Sequence, residues 1–247
     1  MANSLNRIHA AMAAAVVVSA GSAAADTIAI NFQGDAYGNE FGRAVSQTAF
    51  GVAAGDWVSD ATHTAGVGDG GTSGLTHSAV TFSWTFNNDW AQGAAFNTTG
   101  ATGEDEVYFG YLDDGGNGAD ITISGLTTWL AATGDASYEV TLIMSTGQST
   151  GAALLDTPLL DSDGGSSLGT FVMGGLESGH SHATGAGLQG FGTISGLTGD
   201  TLFVDGQARA GSARGSIAGI IVSSVPEPGS LALLGLGGLA VLRRRRG

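Results

Sequence analysis

Apolar and polar positions alternate in short bursts along most of the chain. The stretch SAVTFSWTFN places Val80, Phe82, Trp84 and Phe86 at every second position, and ASYEVTLIMSTG does the same with Tyr138, Val140, Leu142 and Met144. TIAINFQG sets Ile28, Ile30 and Phe32 on one face, and ADITISGL sets Ile121 and Ile123 there. Side chains on a strand point to opposite faces in turn, so this period predicts strands with one buried face. GTFVMGGL, LQGFGTISGL, DTLFVDGQA and GSIAGIIVSS add further strands, and clusters of Gly, Asp, Asn and Ser punctuate them as turns. FGRAVSQTAFGVAAGDWV is long enough for a helix, but Gly42, Gly51 and Gly55 favour loop and strand. GATGEDEVYFG reads as an exposed loop entering a strand. The pattern predicts about ten short strands and an all-β fold, an antiparallel β-sandwich. Jelly-roll topology is the first expectation and an immunoglobulin-like sandwich the alternative. Two facing sheets would bury Phe32, Phe82, Trp84, Phe86, Tyr108 and Val140.

Both ends break this pattern. Residues 1–25 begin with Arg7 and His9, continue through an apolar run from Ala10 to Val18, and close on small residues with Ala23 and Ala25 as an A-x-A exit. A charged front, an apolar run too short to span a bilayer and a small-residue exit predict a signal peptide for the Sec translocon, cut between Ala25 and Asp26. At the other end, Val225, Pro226, Glu227 and Pro228 precede an apolar segment, residues 229–242, and the cluster Arg243, Arg244, Arg245 and Arg246. That segment is shorter than the ~20 residues a stable helical span needs, and its glycines weaken it further. It predicts a short transmembrane segment and transient inner-membrane association, with the arginines on the cytoplasmic side. Prolines on both sides of Glu227 keep the motif extended, which suits a site read by an enzyme. The competing reading of the tail is a permanent anchor. The domain plan is signal peptide 1–25, ectodomain 26–222 and tail 223–247.

Charge narrows the partners. The 247 residues carry a net charge of −14, and all eight basic residues are arginines. Four lie in the tail, and between the two ends only Arg43, Arg209 and Arg214 oppose most of the 22 carboxylates. Such a body repels phosphate backbones, so no nucleic-acid partner is expected, while cations and neutral glycans are compatible. The 43 glycines and an alanine-rich apolar count predict a modest core, and no cysteine is present for a disulfide.

The motif Val225-Pro226-Glu227-Pro228, the apolar segment and the arginine cluster together resemble the PEP-CTERM sorting signal. The resemblance implies an exported product of Gram-negative bacteria whose tail is recognised by an exosortase, a membrane transpeptidase-like enzyme, and removed near the motif. It also implies association with exopolysaccharide. The stretches AFGVAAGDWVSDA, GYLDDGGNGADITISGL, SYEVTLIM and RGSIAGIIV resemble a recurring PEP-CTERM ectodomain, itself similar to galactose-binding-like sandwiches. Ala53-Ala54-Gly55-Asp56-Trp57 departs from that pattern by lacking its proline and asparagines, although Trp57 matches.

Candidate chemistry is sparse. Asp113, Asp114, Asn117 and Asp120 gather oxygen ligands on a Gly-rich stretch, which admits a Ca²⁺ site or an ordinary solvated hairpin turn. Asp161 and Asp163 read as a turn. His180 and His182 would share a strand face and so could meet one Zn²⁺ or Cu²⁺. Trp57 and Trp90 are better candidates than Trp84 to reach the surface, where an indole stacks on a sugar ring, but burial is the favoured reading for each; Trp84 reads as buried. Glu104 and Glu106 could flank a glycosidic bond, but no G-x-S-x-G elbow, catalytic triad or phosphate loop appears, so no enzyme is expected. The expected function is structural or adhesive, at the cell surface or in an exopolysaccharide biofilm matrix. The alternatives are a carbohydrate-binding module and a secreted hydrolase.

Overall fold

Each strand-forming stretch carries an apolar row that a facing layer must cover, and two sheets supply that cover for each other. The structure, a computed structural model, describes residues 25–32, 44–60, 71–86, 88–91, 103–113, 119–146, 156–172, 188–206 and 216–226, all within the compact unit Ala24–Glu227. In chain order these form β1 (Thr27–Phe32), β2 (Trp57–Asp60), β3 (Gly71–His77), β4 (Val80–Phe86), β5 (Asn88–Ala91), α1 (Gly103–Phe109), β6 (Gly110–Asp113), β7 (Ala119–Ser124) and α2 (Leu126–Thr133). Then follow β8 (Ser137–Thr146), β9 (Thr157–Leu160), β10 (Ser167–Phe171), β11 (Leu188–Leu197), β12 (Thr201–Gly206) and β13 (Ile217–Val225). A seven-stranded sheet runs β11-β8-β13-β1-β2, with β6 also on β13 and β5 on β6. A six-stranded sheet runs β10-β9-β12-β7-β4-β3. The ladders are antiparallel except that of β1 with β2. The fold is an all-β sandwich, as the alternation predicts. The number of strands and the parallel pair depart from the immunoglobulin-like alternative.

The inner core lies between the sheets. Ile28, Ile30 and Phe32 of β1, Val140, Leu142 and Met144 of β8, and Ile220 and Val222 of β13 meet Phe82, Trp84 and Phe86 of β4, Ile121 and Ile123 of β7, and Leu202 and Val204 of β12. Phe32 and Trp84 pack edge to face at 5.1 Å between centroids, a favoured aromatic geometry.

A second apolar cluster covers the other face of the seven-stranded sheet. Ala29, Ile143, Ala218 and Ile221 point outward from it and are roofed by Val45, Ala49, Val52, Val107 and Tyr108. Tyr108 is therefore a roof residue, contrary to its expected place between the sheets: it lies on α1, so helical geometry aims it at the outer cluster. The roof comes close to the sheet. A Cβ on Gly219 would stand 2.9 Å from the Ile30 carbonyl oxygen and 3.1 Å from Val107 Cγ1.

Two helices replace expected loop or strand. GEDEVYF forms α1, and its acidic first turn does structural work. Glu106 accepts from the Ser46 N–H at 2.6 Å and from the Ser46 hydroxyl, while Glu104 accepts from the Phe50 N–H at 3.4 Å. LTTWLAAT forms α2, with Leu126, Trp129 and Leu130 buried at helical spacing.

Candidate functional site

The end of β13 gathers the most informative side chains. This strand lies between β1 and β8, and its ladder with β8 continues to the pair Val225↔Ser137. β1 starts where β13 ends, with Thr27 opposite Ser223 and their hydroxyls 3.2 Å apart. Asp26 extends this pairing by one residue. Its N–H donates to Ser224 Oγ at 2.9 Å, and its carbonyl accepts from the Ser224 N–H at 2.8 Å. Its carboxylate accepts the Trp129 indole N–H at 2.8 Å. Ser224 is only 2 % exposed while Asp26 is exposed, so these bonds are partly shielded from competing water.

α2 anchors this clasp from the side. Gly125 ahead of it has φ +85°, and a Cβ there would lie 2.5 Å from the Ala79 carbonyl oxygen, so only glycine fits. Gly125 offers no side-chain cap, and Asp200 supplies one from elsewhere in the chain. Asp200 Oδ1 accepts from the Thr127 N–H at 3.0 Å and from the Thr127 hydroxyl. The Thr127 hydroxyl first, and then its N–H, hold the Asp200 carboxyl below the ordinary aspartate range. Trp129 meets Tyr138 edge to face at 6.4 Å, and Tyr138 pairs with Ser224 in the sheet. The Tyr138 hydroxyl donates to the Gly199 carbonyl at 2.8 Å; burial, reinforced by the Asp200 charge, pushes its pKa well above the usual phenol value. Asp26, Trp129, Tyr138, Ser224 and Asp200 thus form one connected network around the last residues of β13.

Pro226 follows immediately. It has no N–H to donate to a ladder, so the regular sheet stops at Val225. The strand thereby runs three residues beyond 222, where the ectodomain is expected to end. Against known families, residues 224–246 match the PEP-CTERM protein-sorting motif. The chain carries a PEP-CTERM sorting signal. It is an exported protein processed at the membrane by an exosortase, as its tail predicts. The PEP-CTERM match begins at Ser224, so the first two matched residues, Ser224 and Val225, are also strand residues of the sandwich. No curated protein matches the chain. Among solved structures, it is similar to a chain in the crystal structure of the plant peptide RALF23 in complex with FER and LLG2, with a TM-score of 0.35 and 14% identity. That alignment covers 83% of this chain and 41% of the other, so this chain spans about two fifths of its length.

Of the sorting residues, Val225 and Pro226 are described and half-buried; Glu227, Pro228, the apolar segment and Arg243 to Arg246 lie outside the described residues. The expected signal peptide also lies outside them except for Ala25, which is exposed beside Asp26.

A cleft of about 490 Å³ opens beside the clasp, lined by Asp26, Gly51, Asp56, Trp57 and His77 among others. Trp57, one of the better-placed candidates for sugar stacking, is only 7 % exposed and packs into the outer cluster. The parallel pairing of β2 with β1 draws it under the roof. Trp90 lies on β5 opposite Tyr111.

Asp113 ends β6 in one sheet, whereas Asp120 lies on β7 in the other; Asp114 and Asn117 lie outside the described residues. β6 and β7 are not partners in the sandwich. Asp120 accepts from the Gly206 N–H at 3.2 Å. Among the described residues no three His, Asp or Glu side chains gather around a point where a cation could be held. Asp161 closes the β9–β10 hairpin, accepting from the Ser166 N–H at 2.8 Å, while His180 and His182 lie outside the described residues.

The sequence pattern missed Trp129, Tyr138, Ser224 and Asp200 as a group. The spacing of Leu126, Trp129 and Leu130 signals the helix, but nothing local signals its partners.

Proposed function

We propose that this protein is made with a Sec signal peptide, cut before Asp26, and loses its tail to an exosortase. The remaining sandwich then goes to the cell surface or the extracellular matrix, where it serves a structural or adhesive role in exopolysaccharide. The observation that carries this reading is the joining of the sorting motif directly to the end of β13, beside the first strand of the body. A sandwich that begins at Asp26 and ends at Val225 stays whole when both flanking segments are removed. The acidic body, repelled by anionic lipid, favours release from the membrane once the tail is gone. The test compares cells with and without exosortase. The expected result is sandwich in the surface or matrix fraction of the first and membrane-bound chain in the second. Equal release from both would sink the reading.

The cleft supports a second reading, a carbohydrate-binding module. Its carboxylates and glycine backbone would accept and donate hydrogen bonds to sugar hydroxyls, with the indole edge of Trp57 as an apolar contact. Titration of neutral polysaccharide against tryptophan fluorescence tests it, and a flat response would remove it.

A further inference from the structure

We propose that the fold itself sets the upstream limit of the sorting cut, with Asp26, Trp129 and Ser224 acting as positioning residues for that reaction. The proposal rests on the reading that the tail is removed by exosortase, and adds where the enzyme can act and why.

A processing enzyme binds its substrate as an extended, unpaired strand. Within the matched signal, Ser224 and Val225 do not meet that requirement. Both are paired to β8, and Ser224 exchanges two further hydrogen bonds with Asp26. Trp129 holds Asp26 in place through its carboxylate. Pro226 is the first residue whose backbone the sheet cannot pair through a donor. Chain accessible to an enzyme therefore begins at Pro226. Residues 226–228, which precede the apolar segment, span at most about 11 Å even when fully extended. The enzyme must reach the motif hard against the folded body. A cut farther upstream would need β13 to peel from between β1 and β8, which the clasp opposes.

This arrangement also couples the two processing events. Asp26 becomes the first residue when the signal peptide is removed, and its own N–H is the donor to Ser224 Oγ. After that cut the new terminal ammonium occupies this position, and a charged donor makes a stronger bond than the neutral amide. Signal removal thus tightens the root of the sorting motif.

The test is the intact mass of protein recovered from native cells, for the natural chain and for Ser224→Ala, Trp129→Phe and Phe171→Leu. The natural chain should give one C-terminus, at or beyond Val225. Ser224→Ala and Trp129→Phe should give ragged ends upstream of Val225, with such cuts rising about two- to tenfold, the range expected when one hydrogen bond is lost. Phe171→Leu weakens the core on an edge strand of the other sheet and should leave the single terminus unchanged. A natural terminus upstream of Ser224 would overturn the proposal, as would clasp variants with unaltered ends. A broad-specificity protease applied to the purified full chain supplies an arm that does not depend on exosortase. First cuts at or after Pro226, moving upstream in the clasp variants, support the fold-set limit. If cell-derived chains retain Arg243 to Arg246, the processing reading fails and takes the proposed sorting role with it. If tails are removed but the protease arm shows no difference, the positioning role alone is overturned.

Discussion

The two sheets differ in how they face water. The six-stranded sheet has one covered face: β4 alternates buried and exposed residues along its whole length, with Thr81, Ser83 and Thr85 pointing outward. The seven-stranded sheet is covered on both faces at its centre, so β1 and β13 are buried almost continuously. The sorting tail hangs from this doubly covered sheet. A strand held by apolar contacts on both faces and by ladders on both edges resists fraying far better than one wetted on one side. The signal is thus joined to the part of the body least able to yield.

The comparison breaks most visibly if the roof is removed. Tyr108→Ala should cost about 3 kcal/mol or more by urea denaturation, since it empties the centre of the outer cluster. Ile221→Ala, on the outer face of β13, should cost about 2–4 kcal/mol. Thr85→Ala, on the outer face of β4, should stay within about 0.5 kcal/mol. Equal costs for these last two would mean that the outer faces are alike after all.

The β3–β4 turn offers a gain instead. Ser78 and Ala79 both have positive φ, 48° and 70°, in a hairpin that favours Asn-Gly. Ala79→Gly should raise stability by about 1 kcal/mol, seen as a higher melting temperature.

The smallest expected effect is one of pH. Asp200 has a lowered folded pKa, so its contribution is present above the unfolded value and is lost as pH falls through the folded one. Asp200→Asn should therefore cost a little stability at neutral pH, with the difference from the natural chain vanishing as pH falls through the folded pKa. An unaltered acid limb would show that the capping bond is not formed in solution.

Much of the sheet structure was legible because a half-buried strand writes its burial as alternation. Val80 to Phe86 and Ala119 to Ser124 follow that rule residue by residue. β13 reads as a strand too, but its run of apolar and small residues says nothing about which roof lies above it. That roof depends on contacts such as Ser46 with Glu106, which are remote in the chain. α1 was hidden because Val107, Tyr108 and Phe109 are residues that strands also favour. The tail was the most legible element, since its signal is a local string meant to be read in extended form. The clasp was the least legible. Asp26, Trp129 and Ser224 are far apart in sequence, and none of them looks unusual alone. Nothing local to Trp57 names what covers it, since the β1–β2 pairing that places it under the roof joins residues far apart in the chain.

The place of β13 has a consequence in time. Its neighbours in the sheet, β1 and β8, are made earlier, yet neither can complete its ladders until residues 217–225 arrive. Contacts of such long sequence separation make folding slow. Synthesis runs at about 5–20 residues per second, so the chain spends most of its production without its central strand. Through that interval the seven-stranded sheet lacks the strand that joins β1 to β8, and β13 is the last strand of the sandwich to arrive.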